Sequence, residues 1–554
     1  MQNGVYGKMV KFNREVILEN AKQNIVEGRY NIALDMLLPI LNIDDLAVSF
    51  EYAKILYFLK KHNEAIELLK KLNDKYPGDN NVLDILSKSY KETGRIEEFV
   101  SVLEKSLNAT NIEFCLELAN EYYLEKNYET SAKFYNRYLN SRKDELNVAS
   151  KLVQIYNFIG QKKRAIEISS EYLNNEKVKN DKFLSNLFLN ELEIAQEKVI
   201  LKSNPRIMLV SLTNRCNLKC PMCATREESN CWDISEDFKE YIIKNLPNLE
   251  LITWQGGEVF LYKGFENLFL EASKNKYLKQ IIITNGLLLN EYWVNLLIKA
   301  SYLDLTISID SIDKNAYETI RLGAKFEILL ANLKYLKLVR QQNKSNITLT
   351  MRITVSDENV SSLDQMIDFA IEYQFDIVVL SPLDIEQHSL TKYNYFNKSK
   401  EELIALKEFK MKVLEKSRKN NIKVIDLLPD INPILDSFDV EENNNAENDV
   451  SIINENDCFD KEEVKLQETE PLKIPLCLRP WRQIATTVHG KIRPECLCLK
   501  NVDLVYQCED FNGIWNSENM QEYRRKLINF DKTWCCKECA NNIVSDEHKK
   551  FVCV

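Results

Sequence analysis

Histidine is scarce in this chain, with four copies among 554 residues, so centres built on clustered imidazoles rank low among metal chemistries. No stretch reaches the roughly 20 uninterrupted apolar residues of a membrane span. The opening MQNGVYGKMVKFNREV lacks the basic and apolar regions of a secretion signal, so a cytoplasmic location is expected. Positive charge is not in excess either. The formal net charge is -10, and the segment from Asp439 to Glu470 carries all of it, with 12 acids against Lys461 and Lys465. The remainder balances to zero, which argues against a general nucleic-acid surface. What the chain does hold is 14 cysteines, eight of them after Cys458. Cytosolic thiols stay reduced, so this clustering points to thiolate-bound metal or iron-sulfur sites rather than disulfides.

Up to about Pro205 there is little glycine and no strand-like alternation, only apolar residues at helical spacing. Five segments align: RYNIALDMLLPI, KHNEAIELLKKL, RIEEFVSVLEKS, NYETSAKFYNRYL and QKKRAIEISSEYL. Their matched residues Ala33, Ala65, Phe99, Ser131 and Ala165 are 32, 34, 32 and 34 positions apart. A period near 34, small residues at the helix crossing, Tyr90 and Tyr122 on the preceding helices and Pro77 closing one unit resemble the tetratricopeptide repeat (TPR) family. That resemblance implies an all-α TPR solenoid over residues 1–204 whose groove holds a peptide or protein.

From Arg206 the texture changes to short β-branched runs separated by helical stretches: RIMLVSLT, LELITWQGG, KQIIITNG, LDLTISID, NITLTMRITV and FDIVVLSPL. Six such strands, each followed by a helix, predict an α/β partial (β/α)6 TIM-like barrel over residues 205–438. Reactive groups of such barrels sit where strands end and loops begin. Residues 439–474 read as an acidic disordered linker, and 475–554 as a small cysteine-rich α+β module.

The first strand runs directly into TNRCNLKCPMCATR, placing Cys216, Cys220 and Cys223 on one loop with no fourth thiol nearby. A structural zinc site wants four closed ligands. Three thiolates can instead hold three irons of a 4Fe-4S cube and leave the fourth iron open. Cys-x3-Cys-x2-Cys after the first barrel strand resembles the radical S-adenosylmethionine (SAM) superfamily, with Met222 where relatives often carry an aromatic residue. The resemblance implies a SAM-binding 4Fe-4S cluster on these cysteines, with a 5'-deoxyadenosyl radical drawing hydrogen from the substrate. It also implies that Gly256, Gly257 and Glu258 receive the SAM amino group, that Ser308 meets the ribose, and that Arg321 meets the SAM carboxylate, with Asp310 a further polar candidate. Asn285 caps the third strand, where a ligand contact and ordinary Asn-Gly turn chemistry explain it equally.

The tail reads IPLCLRPWRQIATTVHGKIRPECLC, then FNGIWNSENMQEYRR, then WCCKECANN. This order is similar to the auxiliary-cluster modules called SPASM or twitch, which implies one auxiliary 4Fe-4S cluster on Cys477, Cys496, Cys536 and Cys539. Cys498 and Cys535 are the alternates, and a zinc ribbon is the alternative use of the same thiols. The combined resemblance implies a radical enzyme that modifies a peptide or protein, fed by an external electron donor of the flavodoxin or ferredoxin type, with no nucleic-acid or membrane partner. Oxidation or rearrangement of a small molecule such as a sugar or aminosugar alcohol is the alternative activity. A non-enzymatic repeat scaffold with structural zinc is the alternative of another class.

Overall fold

The computed structural model describes residues 2–106, 112–223, 230–300, 302–343, 345, 347–356, 359–382, 399–420, 422–428, 477–494, 503–504, 511–529 and 531. The chain divides into two compact units, Met1–Ile159 and Gly160–Val554. The acidic segment 439–474 lies outside the described residues, as do Cys496, Cys498, Cys535, Cys536 and Cys539.

The first unit is helical throughout its described length. It comprises α1 (Gln2–Val26), α2 (Tyr30–Leu37), α3 (Leu46–Phe58), α4 (His62–Lys75), α5 (Asn80–Glu92), α6 (Ile96–Ser106), α7 (Glu113–Leu124), α8 (Tyr128–Ser141) and α9 (Leu146–Phe158). Asp45, Asp79 and Asn127 start α3, α5 and α8 by accepting first-turn N–H groups on their side chains. The residues aligned in the sequence are all fully buried: Ala33, Ala65, Phe99, Ser131 and Ala165 each have 0% exposure.

A second periodicity runs through the backbone. Gly28, Lys60, Gly94, Lys126 and Gly160 adopt φ of 73°, 60°, 69°, 63° and 75°. In the first four turns the next residue donates its N–H five residues back: Arg29 to Asn24, Lys61 to Leu56, Arg95 to Tyr90 and Asn127 to Tyr122, at 2.8 to 2.9 Å. This is one helix-ending turn used repeatedly, and the helical region fits a repeat.

The second unit opens with α10 (Lys162–Leu173), α11 (Glu176–Lys179) and α12 (Lys182–Ala195), so the last aligned segment belongs to this unit. Strands and helices then alternate: β1 (Ile207–Ser211), α13 (Glu236–Asn245), β2 (Leu251–Gln255), α14 (Phe265–Ala272), β3 (Lys279–Thr284), α15 (Glu291–Leu297) and β4 (Leu303–Ser308). They continue through α16 (Lys314–Ile320), α17 (Phe326–Asn343), β5 (Thr348–Thr354), α18 (Leu363–Glu372), β6 (Ile377–Ser381), α19 (Lys400–Lys419) and β7 (Lys423–Asp426). The tail supplies α20 (Arg479–Arg482), β8 (Gln483–Thr486), β9 (Lys491–Arg493), β10 (Asp503–Leu504), α21 (Phe511–Ile514) and α22 (Glu518–Ile528).

All six expected strands form, in parallel and in chain order. Two differences extend the sheet. Lys423–Asp426 adds a seventh parallel strand, too short and too charged to stand out as an apolar run. The tail hairpin does not stand apart: β8 pairs in parallel with β1 and β9 turns back on β8, so ten strands run β10-β9-β8-β1-β2-β3-β4-β5-β6-β7. Alternate residues of each barrel strand pack outward under the helices, as Leu349, Met351 and Ile353 do on β5, and the others face the lumen.

The tail is locked on by an apolar cluster of Ile194, Leu201, Leu478, Trp481, Trp515, Met520 and Leu527. Beside it lies a buried ionic group. Glu191 of α12 contacts Arg206 and Arg482, while Arg206 also reaches Glu250 at 2.6 Å. Arg524 is 0% exposed and donates to the carbonyls of Pro480, Val199 and Trp515 while its guanidinium lies over the Trp515 ring. Among the described residues no helix is long and apolar enough to cross a membrane.

Lys60 and Lys126 hold a backbone conformation that costs a side-chain-bearing residue about 1 kcal/mol relative to glycine. Lys60→Gly and Lys126→Gly are each expected to raise stability by about that amount in urea unfolding. An unchanged or lower midpoint would show that these turns carry no such strain.

Candidate functional site

The site is built where β1 and β2 end. After Ser211 the chain continues through Leu212, whose N–H donates to Gln255 O at 2.9 Å, and then turns through Thr213, Asn214 and Arg215 into the cysteine loop. The turn after β2 comes up against this stem. Gly257 N donates to Thr213 O at 2.7 Å and Glu258 N to Arg215 O at 2.8 Å. The approach leaves no room for side chains: a Cβ on Gly256 would lie 2.3 Å from Thr213 O, and one on Gly257 would lie 2.2 Å from Arg215 O. Gly256 also has φ +143°, which side-chain-bearing residues rarely adopt. These glycines therefore let the turn close on the stem of the cysteine loop, at Thr213 and Arg215.

Other elements grip the same loop. Asn214 accepts from Trp232 N at 2.8 Å and donates to Asn230 O at 2.8 Å, holding the returning chain to the stem. Trp232 Nε1 in turn donates to Val488 O in the tail hairpin at 3.1 Å. Lys219 N donates to Leu322 O at 2.9 Å, just past α16, and Asn285 Nδ2 donates to Asn217 Oδ1 at 2.9 Å. Asn285 thus holds the loop, beyond the turn chemistry legible in its Asn-Gly sequence.

Cys216, Cys220 and Cys223 share this loop; charge on Cys220 or Cys223 would be felt at Cys216, and charge on Cys223 at Cys220. Burial pushes the Cys216 thiol up to about 11 and raises Cys220 as well, while the N–H of Leu218, 3.4 Å from Cys216 Sγ, works the other way. Such thiols give up their protons to a metal rather than to water at neutral pH. Among the described residues no three His, Cys, Asp or Glu side chains converge on a single-ion site. A 4Fe-4S cube would take each of the three loop thiolates on a different iron.

Glu258 is 1% exposed. Its Oε1 accepts from Thr284 Oγ1 at 2.7 Å and its Oε2 from Asn285 N at 2.9 Å, so the carboxylate braces β2 against the end of β3. Burial pushes its pKa up to about 7 despite these donors. Asp310, fully buried, accepts from Arg321 Nε at 2.7 Å and from Thr354 N at 2.8 Å. Arg321 and Asp310 are therefore a matched pair, electrostatically linked to Cys220. Ser308 ends β4, half-buried. Cys477 precedes α20 and accepts from Arg479 N at 3.4 Å, whereas its three expected partner cysteines lie outside the described residues.

Sequence reasoning passed over Arg352. It lies on β5 directly opposite Ser308, on the lumen face, and its Nε donates to Ser381 Oγ at 3.0 Å. The signal was present as a charged residue at an inward position of an alternating strand.

Comparison with known proteins gives the following. Residues 210–370 match the model of the Radical SAM superfamily. A GTP 3',8-cyclase of Clostridium botulinum is 28% identical over 204 residues, covering 35% of this chain and 62% of that protein. The chain thus spans about six-tenths of the length of such relatives. A PqqA peptide cyclase of Granulibacter bethesdensis is 28% identical over 170 residues, covering 30% of this chain and 44% of that one. Among solved structures, Streptococcus suis SuiB bound to S-adenosylmethionine covers 68% of this chain and 83% of its own at 16% identity, with a TM-score of 0.44. A domain of the matched family uses a 4Fe-4S cluster and SAM.

Two outcomes test this geometry. Gly257→Ala is expected to displace the cysteine loop and cut the iron retained after anaerobic reconstitution several-fold; full iron content would show the contact to be dispensable. Glu258 holds its proton to about pH 7 when folded and to about 4.5 when unfolded. Stability of the metal-free protein should therefore fall as pH rises from 4.5 to 7, by on the order of 3 kcal/mol. In Glu258→Gln, denaturant unfolding across that window should lose this slope.

Proposed function

We propose that this chain, which carries a radical SAM domain at residues 210–370, is a SAM-dependent radical enzyme that modifies a peptide or protein. The observation that carries the reading is the seating of the three-cysteine loop on the Gly256–Gly257 turn, with Glu258 and the Asp310–Arg321 pair beside it.

In this reading Cys216, Cys220 and Cys223 would hold the 4Fe-4S cluster at which SAM binds. When bound, the cluster and SAM supply one-electron cleavage and a hydrogen-abstracting carbon radical. The protein's own part is to bind, orient and exclude water. Glu258 accepts from Thr284 Oγ1 and from the backbone of Asn285 and Phe260, which leaves a carboxylate acceptor position for the SAM ammonium. Ser308 offers a hydroxyl to the ribose. Asp310 takes Arg321 Nε and leaves the terminal guanidinium nitrogens for the SAM carboxylate.

The peptide reading is supported by the relative whose name includes a peptide substrate and by the helical repeat that precedes the barrel. In our proposal the repeat is a TPR solenoid whose groove holds the substrate. Cys477, Cys496, Cys536 and Cys539 bind one auxiliary 4Fe-4S cluster, and a flavodoxin- or ferredoxin-type donor supplies the electron. A second reading, radical chemistry on a small molecule, is favoured by the match to GTP 3',8-cyclases.

The test is to incubate anaerobically reconstituted protein with SAM and dithionite and to quantify 5'-deoxyadenosine. The wild type is expected to form it, and Cys216→Ala to fall to background. No product from iron-loaded wild type would overturn the reading.

A further inference from the structure

The lumen contains a cation that the roles above do not use. β5 places Thr348, Thr350, Arg352 and Thr354 on its inner face, because Leu349, Met351 and Ile353 are packed under the helices at no more than 1% exposure. At the rim where strands end, Arg352 lies between Ser308 of β4 and Ser381 of β6. Its contact with Ser381 Oγ is its one hydrogen bond among the described residues, and no carboxylate there forms an ion pair with it. The nearest acid in electrostatic terms is Asp310, whose two oxygens are already taken by Arg321 and Thr354 N.

The two arginines of the rim therefore differ. Arg321 has its counter-charge built in. Arg352 is half-buried, burial lowers its pKa, and among the described residues a neutral hydroxyl is all that its Nε meets. A partly buried guanidinium that meets no acid among the described residues is poorly compensated, and a bound molecule that brings a carboxylate to it supplies that partner. The planar terminal nitrogens suit a bidentate carboxylate better than a lysine would.

We propose that Arg352 is an anion-binding residue of the barrel lumen, whose guanidinium takes a carboxylate from a molecule bound at the rim. The carboxylate belongs either to SAM or to the substrate. The proposal rests on the reading above for the identity of these occupants. Ser308 and Ser381 flank the position and leave the charge to Arg352 alone.

The test uses the reconstituted full-length protein and two pairs of probes. One pair is SAM and decarboxylated SAM, compared by equilibrium dialysis. The other is a fluorescent pool of octapeptides with a central Asp and the same pool with Asn, titrated into SAM-loaded protein and read by anisotropy. Wild type is expected to favour the acid member of at least one pair by about tenfold or more, as a charged hydrogen-bonded pair allows. Arg352→Met should lower that preference by about tenfold in the pair that Arg352 serves, while leaving affinity for the uncharged member unchanged, and Arg352→Lys should keep part of it.

Loss confined to the SAM pair assigns the carboxylate to SAM; loss confined to the peptide pair assigns it to the substrate. A wild type without acid preference in either pair, or an Arg352→Met protein that keeps it, overturns the proposal. The unchanged affinity for decarboxylated SAM or the Asn pool serves as the check on folding. These are binding measurements, so they stand apart from the enzymatic reading. Acid preference through Arg352 in a protein that forms no 5'-deoxyadenosine would sink that reading and leave this one.

Discussion

The site depends on two backbones meeting without side chains between them. Gly256 and Gly257 let the turn after β2 close on Thr213 and Arg215, and two hydrogen bonds of 2.7 and 2.8 Å register the contact. This contact sets the height and direction at which the cysteine loop leaves the sheet. Asn285, Leu322 and Trp232 then hold the loop from three sides. A cluster ligand set on a loop needs such outside support, since three cysteines on a free segment would lose much of their affinity to ordering entropy.

The same economy governs the charges. Glu258 and Asp310 are both buried, and each is held by donors from neighbouring strands rather than by solvent. Asp310 neutralises Arg321 within the protein, while Glu258 resists ionisation until about pH 7. The rim thus combines a matched pair, a carboxylate near its titration point and, at Arg352, a cation that pairs with no carboxylate among the described residues. A site with these properties responds strongly to what enters it, because a ligand charge there meets groups that are partly or wholly withdrawn from water.

The tail is joined to the barrel more intimately than a separate module would be. β8 extends the sheet beside β1, the strand that feeds the cysteine loop, and the hairpin turn accepts from Trp232 on the loop's return. Behind it, Glu191, Arg206, Arg482 and Glu250 balance two acids against two bases in a nearly dry setting. Removal of any one would leave the buried group with unbalanced charge, and the contacts join α12, β1 and the tail.

Local pattern was enough to read much of this from the residues in order. Strands β1 to β6 announced themselves as β-branched runs, and the helical repeat as a spacing of 32 to 34, because both signals come from neighbours along the chain. The cysteine triplet and the Gly-Gly-Glu turn were likewise visible, each at a strand end. What they touch was not. That the glycines face the cysteine stem, that Glu258 braces β3, and that Asp310 already holds Arg321 follow from strand register, which brings residues 11 to 44 positions apart into contact. The tail hairpin's place beside β1 and the unspent charge of Arg352 belong to the same class. The linear sequence determined the elements and the reactive residues, since these follow from side-chain type and spacing. Tertiary structure alone decided which charges are paired and which remain available, since pairing depends on distances that only the folded sheet sets.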